Sequence, residues 1–303
     1  MQSIQEFTKQ EKIGISETCR LIGIHRQMYY KAIYSNKSKK NLAEKVIDLV
    51  NGIRIKMPRV GTRKLYYLLK EELVKLKVGR DKLFDILRAN HLLIKPKRQY
   101  HITTNSHHRF KKHKNLIENM EINRPEQVFV SDITYLGNRD NPMYLALVTD
   151  AYSKKIMGFD VSNSLNAQGA INALNMAIKN RKYQTVQSQM LIHHSDRGLQ
   201  YCSNEYQEIL KNNHIRCSMT EKYDPYQNAI AERINGILKH EFIGDLRIKE
   251  LEIMKELVKN SIYIYNTFRP HFSNYYLTPE QMHLQVLLPR RKYVNDKMSI
   301  NFN

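Results

Sequence analysis

The stretch Gln127–Gly137, QVFVSDITYLG, decides the fold class, because apolar, β-branched and aromatic residues dominate it in an alternating pattern. Two more β-rich runs follow at 142–153 (PMYLALVTDAYS) and 155–162 (KIMGFDVS), and together the three predict an antiparallel meander. Asp132 lies in the middle of the first run, where an Asp is unfavourable without compensation. The run therefore predicts a sheet and a carboxylate with a special role.

The chain after the meander alternates between helical and β-rich patterns. This order predicts an α/β fold in which a mixed five-stranded sheet is flanked by helices. The expected elements are a helix at 166–180, a strand at 190–196, a helix at 203–213, a strand at 215–219, and helices at 224–241 and 248–267.

Positive charge is concentrated in the first part of the 303-residue chain, whose net charge is +20. Residues 1–120 hold 27 Lys and Arg against 10 Asp and Glu, whereas residues 121–303 hold 22 against 19. A basic segment of this kind indicates a polyanionic partner, and nucleic acid fits best. The alternative is a generally basic, solvated surface.

Two all-α helix-turn-helix units are predicted in this basic part. Residues 16–33, SETCRLIGIHRQMYYKAI, are expected to form two helices joined at Gly23, with a generic helical hairpin as the alternative. A polar linker at 35–41 separates them from a second helical set at 42–90. The candidate DNA contacts in the two units are Arg26, Lys31, Arg63, Lys64 and Arg80.

Several classes of protein are disfavoured by the composition. Cys19, Cys202 and Cys217 lie far apart and form no CxxC pair, so neither a disulfide framework nor a zinc site is expected. No run of about 18 apolar residues predicts a membrane span, and the first residues have no apolar segment of a secretory signal. A reduced, cytoplasmic protein without a membrane partner is the expectation.

Two further acidic residues stand in unusual places. Asp196 ends a buried strand, and Glu232 lies on the polar face of a helix whose other face carries Ile230, Ile234 and Ile237. Carboxylates are ligands of Mg²⁺, and two such ions assist phosphoryl transfer. Taken singly, each acid also fits a turn, a strand end or a solvated helix. Asp150 and Asp160 remain competitors for the same role.

Three blocks of the sequence contain one of these acids each: 129–135 (FVSDITY), 193–201 (HHSDRGLQY) and 228–241 (NAIAERINGILKHE). Thirty-five residues separate Asp196 from Glu232. In sequence and in this D,D(35)E spacing, the blocks resemble the catalytic blocks of DDE transposases, and more specifically the OrfB product of the IS3 family of bacterial insertion sequences, which is related to retroviral integrases. The flanking signatures of that family are resembled by 19–31, 58–90, 265–271 (YNTFRPH) and 278–280 (TPE).

The resemblance implies an RNase H-like catalytic core in which Asp132, Asp196 and Glu232 hold two Mg²⁺ ions, with Mn²⁺ as a substitute. It implies that one strand is cut at the element's end and that the freed 3′-hydroxyl joins a second DNA site. The implied partners are the terminal inverted repeats, target DNA, further copies of the chain in synapsis, and the upstream OrfA product or an OrfA–OrfB fusion.

The resemblance also points to polar residues beside the acids as DNA contacts, with a solvated polar face as the alternative. Asn228, Asn235 and Lys239 share the helix face of Glu232. His194 and Arg197 flank Asp196 and are expected either to position DNA or to support the ligands of the cation, with a structural role for His194 favoured over that of a general base. The predicted domain division is 1–38 and 39–98 for the two helix-turn-helix units, 99–123 for a basic linker, 124–285 for the catalytic domain and 286–303 for a tail.

Three other functions compete with transposition. An RNase H-like nuclease would hydrolyse DNA or RNA without joining it. A non-catalytic DNA-binding regulator would use only the N-terminal helices and leave the acidic blocks without a role. An inactive transposase copy lies between these, and the presence of Asp132, Asp196 and Glu232 argues against it.

Overall fold

A computed structural model describes the protein, and contacts along the chain divide it into two compact units, 1–95 and 96–303. The predicted tail at 286–303 lies outside the described residues. In the part of the chain that the structure describes, no helix is both long and apolar enough to cross a membrane. The described residues are 13–94, 113–138, 141–183, 190–221, 228–244, 246 and 248–285.

The first unit is helical. Its first two helices meet at Gly23, whose φ of 74° is readily adopted only by glycine, as the predicted turn requires. Cys19 and Tyr29 pack together on the inside of this turn. The helices are α1 (Ile15–Leu21), α2 (Arg26–Lys56), α3 (Thr62–Leu68), α4 (Lys70–Lys75) and α5 (Arg80–Ala89).

The prediction of a polar linker at 35–41 was wrong, because these residues are helical and exposed within α2. The segment contains neither Pro nor Gly, so nothing in it interrupts a helix that is anchored by buried Tyr29 before it and by Val46 and Val50 after it. A polar composition therefore marked a solvated stretch of helix and not a loop. The predicted division between residues 38 and 39 falls inside this helix.

Within the predicted second helical set at 42–90, the helix expected from Thr62 to about Leu73 is instead two short helices, α3 and α4. They meet at Leu69, whose ψ of 17° departs from helical geometry although its amide still bonds the Leu65 carbonyl at 2.9 Å. Leu65, Leu69 and Leu73 are all buried. The kink therefore keeps the three leucines in the core of the unit.

The second unit is built on a five-stranded sheet, which confirms the predicted fold class. The strand order is β3-β2-β1-β4-β5; β1, β2 and β3 are antiparallel, and β4 and β5 run parallel to β1. The strands are β1 (Val128–Asn138), β2 (Asn141–Asp150), β3 (Ile156–Ser162), β4 (Ile192–Ser195) and β5 (Arg216–Met219).

Helices of the second unit cover both faces of the sheet. They are α6 (Ala167–Lys179), α7 (Leu199–Cys202), α8 (Asn204–Asn212), α9 (Ala229–Ile237), a π-helix (Leu238–Ile243), α10 (Leu251–Thr267), a 3₁₀ turn (Phe272–Asn274) and α11 (Pro279–Leu284).

One face of the sheet carries the larger core. Phe129 and Ile133 of β1 pack there with residues of α6, α7 and α8, including Leu174 and Tyr206. Helix α6 approaches β3 so closely that a Cβ at Gly158 would lie 2.0 Å from the Ala173 carbonyl oxygen. Glycine is therefore required where this helix crosses the strand.

The opposite face carries a smaller cluster around Val128, Val130 and Ala231, and it holds α9 against β1. Leu116 and Met120 also pack onto this cluster. Both belong to the segment predicted as an exposed basic linker, so its described part, 113–123, is instead a packed extension of the second unit. Residues 99–112 of that predicted linker lie outside the described residues.

Candidate active site

The first acid, Asp132, lies on the central strand β1, opposite Leu147 of β2. Because side chains alternate between the faces of a strand, Asp132 shares its face with Val128 and Val130. That is the face against which α9 packs. Asp132 is partly exposed, so the strand presents its carboxylate at the edge of the small core beneath α9.

The second acid, Asp196, follows directly after β4, the strand that lies parallel to β1. Its Oδ1 accepts a 3.0 Å hydrogen bond from the Gly198 amide, which folds the loop back on the carboxylate. A Cβ at Gly198 would lie 3.1 Å from Asp196 Oδ1. The loop therefore leaves little room for a side chain at residue 198, two positions after Asp196.

The third acid, Glu232, lies in the first turn of α9. Ile234 and Ile237 of the predicted apolar face are buried and Ile230 is partly buried, while Glu232 itself is exposed. The helix is held on β1 by its apolar side. Glu232 consequently stands at the margin of the helix-strand contact that also contains Asp132.

The three acids affect one another's pKa values. Burial raises the pKa of Asp132 to about 7, helped by the charges of Asp196 and Glu232 and opposed by a hydrogen bond from Asn235. Burial and the charge of Asp196 also raise the pKa of Glu232. Three blocks that are distant in sequence therefore bring their carboxylates close enough to repel one another.

This arrangement suits a divalent cation. Asp132 and Asp196 line one cleft together with Gln200 and Tyr201, and their carboxylates are the hard oxygen donors that Mg²⁺ and Mn²⁺ take. Among the described residues, no three His, Cys, Asp or Glu side chains are already gathered as a complete ligand set. Two carboxylates in the cleft with a third nearby fit a cation that relieves their mutual repulsion.

Asn228 and Asn235 do not project into solvent as the sequence led us to expect. Their relative exposures are 6% and 3%. Asn228 donates a 3.0 Å hydrogen bond to the Ser131 carbonyl, and Asn235 donates a 2.8 Å bond to Oδ2 of Asp132. Both amides, which were predicted to meet DNA, instead bond to β1 and position the first acid and its strand, whereas Glu232 on the same helix is exposed.

The other predicted contacts around the acids have different surroundings. His194 is fully buried with its Nδ1 2.8 Å from the Ser218 hydroxyl of β5, so it belongs to the sheet and not to a DNA surface. Lys239 is partly exposed, with its Nζ 5.8 Å from the centre of the Tyr135 ring, and burial lowers its pKa. Arg197 is also partly exposed.

The predicted DNA contacts of the first unit remain predictions, and their exposure is compatible with phosphate binding. Arg26 donates a 3.3 Å hydrogen bond to the Ser16 hydroxyl, and Arg80 pairs with Asp81 at 2.9 Å. Both are surface contacts that a phosphate group can replace. Arg26, Lys31, Arg63 and Arg80 are exposed, and Lys64 is partly exposed.

Asp150, one of the two competing acids, has a structural role. It is fully buried and accepts hydrogen bonds from the Glu126 amide at 2.7 Å and from the Ser153 amide and hydroxyl at 2.7 and 2.6 Å. Asp160 lies on the edge strand β3, where it accepts a 3.4 Å bond from Asn172. Neither lines the cleft of Asp132 and Asp196.

A buried ion pair behind the site was missed by the sequence reasoning. Arg269 is 1% exposed and forms a bidentate pair with Glu241, at 2.8 and 2.7 Å. Glu241 lies in the π-helix that continues α9, while Arg269 follows α10. The signal was present in the sequence, because both residues lie inside the quoted family signatures. The pair ties the helix of Glu232 to the end of α10.

Sequence comparisons relate the chain to integrases and insertion-sequence proteins. Two models of the integrase core domain match residues 122–225 and 213–279. An uncharacterized 31 kDa protein of insertion element IS600 from Shigella sonnei is 30% identical over 84% of this chain and 92% of its own length. Transposase InsF of insertion sequence IS3A from Escherichia coli K12 is 36% identical over 64% of this chain and 67% of its own.

Solved structures of retroviral integrases are similar to parts of the chain. The magnesium complex of the HTLV-2 integrase catalytic core domain is 20% identical, with a TM-score of 0.41 over 53% of this chain and 97% of its own. A simian T-cell lymphotropic virus intasome chain is 19% identical, with a TM-score of 0.46 over 80% of each chain.

Proposed function

Because the chain belongs to the IS3 family of insertion-sequence transposases, which carry the integrase core domain, we propose that Asp132, Asp196 and Glu232 are its catalytic residues. The proposed reactions are cleavage of one strand at each end of the element and transfer of that end to a target DNA. Both proceed in one site and require Mg²⁺, or Mn²⁺ in its place.

One observation carries this proposal. The charges of both Asp196 and Glu232 act on Asp132, and they raise its pKa in addition to the effect of burial. Asp132 on a central strand and Asp196 in the loop after β4 line one cleft, and Glu232 on α9 lies near enough for its charge to act on Asp132. Repulsion among carboxylates is unfavourable for a fold unless a bound cation offsets it, and a site for phosphoryl transfer needs that cation.

The chain's own groups have distinct parts in the proposed reaction. Asp132 and Asp196 would hold the cation from the floor of the cleft, and Glu232 would approach from the first turn of α9. Two bound ions would activate the attacking oxygen and stabilise the leaving one. Asn235 keeps the carboxylate of Asp132 in a fixed orientation through its 2.8 Å hydrogen bond.

The bond changes balance without an external energy source. In the first step, water attacks a phosphodiester, a P–O bond forms, and the element's 3′-oxygen leaves as a hydroxyl. In the second step, that 3′-hydroxyl attacks a phosphodiester of the target, which forms one P–O bond and breaks another. No covalent protein intermediate is required, so we assign no Ser, Tyr or Cys nucleophile.

The transposase acts on DNA, and we propose that its two units have separate roles. The basic helical unit, 1–95, would bind the terminal inverted repeats through Arg26, Lys31, Arg63, Lys64 and Arg80. The second unit would hold the reacting phosphate. Synapsis of two ends needs at least two copies of the chain, and the upstream OrfA product or a fused frame would add further DNA contacts in the bacterial cytoplasm.

The test uses labelled duplexes from the ends of the element that encodes this chain. Purified protein is incubated with them in Mg²⁺, in Mn²⁺ and in EDTA, and nicked and joined products are separated on a denaturing gel. We expect nicked and joined strands with either metal and none with EDTA. Nicking without joining would instead indicate an RNase H-like nuclease.

A second arm separates catalysis from DNA binding. The Glu232→Gln variant should bind the end duplex as the wild type does but should neither nick nor join it. Binding without cutting by the wild type itself would identify a non-catalytic DNA-binding protein or a missing OrfA partner. Adding the fused upstream frame then distinguishes those two outcomes.

A further inference from the structure

Tyr201 has a buried hydroxyl that none of the described residues satisfies. The residue lies in α7, directly after the loop of Asp196, and its relative exposure is 2%. Its ring packs against Tyr206 with the ring centres 5.5 Å apart and the planes at 80°. Among the described side chains it is one of the few whose buried polar atom has no hydrogen-bond partner.

The neighbouring Tyr206 is also buried in this core, but its hydroxyl has a hydrogen-bond partner. Its hydroxyl lies 2.8 Å from Nε2 of His193, which also contacts the Ser131 hydroxyl at 2.7 Å. A buried hydroxyl without such a partner destabilises a fold, whereas Phe at the same place would keep the ring packing without that cost. The hydroxyl of Tyr201 therefore needs an explanation that packing does not supply.

The position of Tyr201 suggests the explanation. It lines the same cleft as Asp132 and Asp196. Burial raises the pKa of Tyr201 well above its usual value, and the charges of Asp196 and Asp132 raise it further, so the phenol stays protonated. A protonated phenol is a hydrogen-bond donor, and the two carboxylates that line the same cleft are acceptors.

We propose that Tyr201 is a positioning residue whose hydroxyl donates a hydrogen bond to the Asp196 carboxylate when a divalent cation is bound in the cleft. Asp196 is bound at Oδ1 by the Gly198 amide, so a second donor would fix the carboxylate plane as well as its position. The inference rests on the proposed function, because it assumes that Asp132 and Asp196 hold the cation.

The test measures cation binding without DNA and without turnover. The thermal unfolding midpoint of the full chain is followed during titration with Mn²⁺, for the wild type, for Tyr201→Phe and for Tyr206→Phe. We expect Tyr201→Phe to unfold in EDTA at or above the wild-type midpoint, since it loses only an unpaired hydroxyl. It should require about 10-fold more Mn²⁺ for half-maximal stabilisation.

Tyr206→Phe is the matched control. It loses a hydroxyl that is bonded to His193, so its midpoint in EDTA should fall while its half-maximal Mn²⁺ concentration stays at the wild-type value. A second variant, with 4-aminophenylalanine at position 201, retains a donor on the same ring and should restore the wild-type Mn²⁺ dependence.

Two results would overturn the proposal, and they differ. If the wild type is stabilised by Mn²⁺ and Tyr201→Phe responds at the same concentration, the role of Tyr201 is refuted while the metal site stands. If Mn²⁺ does not stabilise the wild type, or stabilises an added Asp196→Asn variant at the same concentration, the metal site of the proposed function is refuted and the role of Tyr201 with it.

Discussion

The side-chain amide of Asn235 donates a 2.8 Å hydrogen bond to Oδ2 of Asp132. This bond joins α9, which carries Glu232, to the central strand that carries the first acid. It also favours the charged form of Asp132 and so opposes the rise in its pKa that burial and the two neighbouring acids cause. One amide thus fixes both the orientation and the charge state of the first carboxylate.

Asn235→Ala should slow strand cleavage by about 10- to 100-fold, because the Asp132 carboxylate loses the donor that orients it. Loss of the bond should lower the free energy of unfolding by no more than about 1–2 kcal/mol. The single-turnover cleavage rate of an end duplex and urea unfolding measure the two effects. Asn172→Ala removes an asparagine that donates to Asp160, outside the cleft, and should cleave within about 3-fold of the wild type. Equal losses in both variants would refute the role of Asn235.

The Glu241–Arg269 pair should be one of the largest single contributors to the stability of the second unit. Arg269→Ala leaves the Glu241 carboxylate without its buried partner, and we expect the free energy of unfolding to fall by about 3–5 kcal/mol. Lys259→Ala breaks the exposed pair with Glu256 and should change the free energy of unfolding by less than about 1 kcal/mol. Urea unfolding of both variants tests the contrast, and similar effects would contradict it.

A buried cluster around His283 should make stability depend on pH. Burial lowers the pKa of His283, but Asp150 and Glu126, whose carboxylate oxygens lie 3.8 and 3.5 Å from its ring nitrogens, outweigh that effect and raise the pKa above the ordinary value. A raised histidine pKa stabilises the fold at pH values below about 6.5, and the contribution disappears as pH rises through the folded-state pKa. The charged or polar groups that face the ring are Glu126, Asp150, Ser153, Lys155 and Tyr183.

The corresponding variant is His283→Gln, studied by urea unfolding at pH 6 and at pH 9. The excess of the wild type over the variant in free energy of unfolding should be larger at pH 6 than at pH 9. His91→Asn changes an exposed histidine with a φ of 55°, a conformation that Asn tolerates, and should show no such difference. A gap that is the same at both pH values would show that the pKa of His283 is not raised in the folded protein.

The sheet and the acidic positions were predictable because they depend on local patterns. Runs of alternating, β-rich residues predicted β1, β2 and β3, and the unusual position of Asp132 within β1 was visible in the sequence. Fixed spacing in the resembled blocks singled out Asp196 and Glu232. These features depend on what a residue is and on its immediate neighbours.

The surroundings of the polar residues were not predictable, because they depend on how elements dock. The polar face of α9 appeared to be a DNA surface, yet packing on β1 buries Asn228 and Asn235. His194 finds its partner, Ser218, on a strand that lies beside it only in the folded sheet. A charged composition at 35–41 equally fits a loop or a solvated helix, and only the anchoring at both ends decides between them.

The central claim is that Asp132, Asp196 and Glu232 act together in one metal-dependent site. The most direct measurement is the single-turnover rate of strand joining in Mg²⁺ for Asp132→Asn, Asp196→Asn and Glu232→Gln, beside Asp160→Asn as a control acid of the same domain. We predict that each of the three site variants loses at least about 1,000-fold while still binding the end duplex, and that Asp160→Asn stays within about 3-fold of the wild type. Joining that persists in any of the three, or that is lost equally in Asp160→Asn, would contradict the assignment.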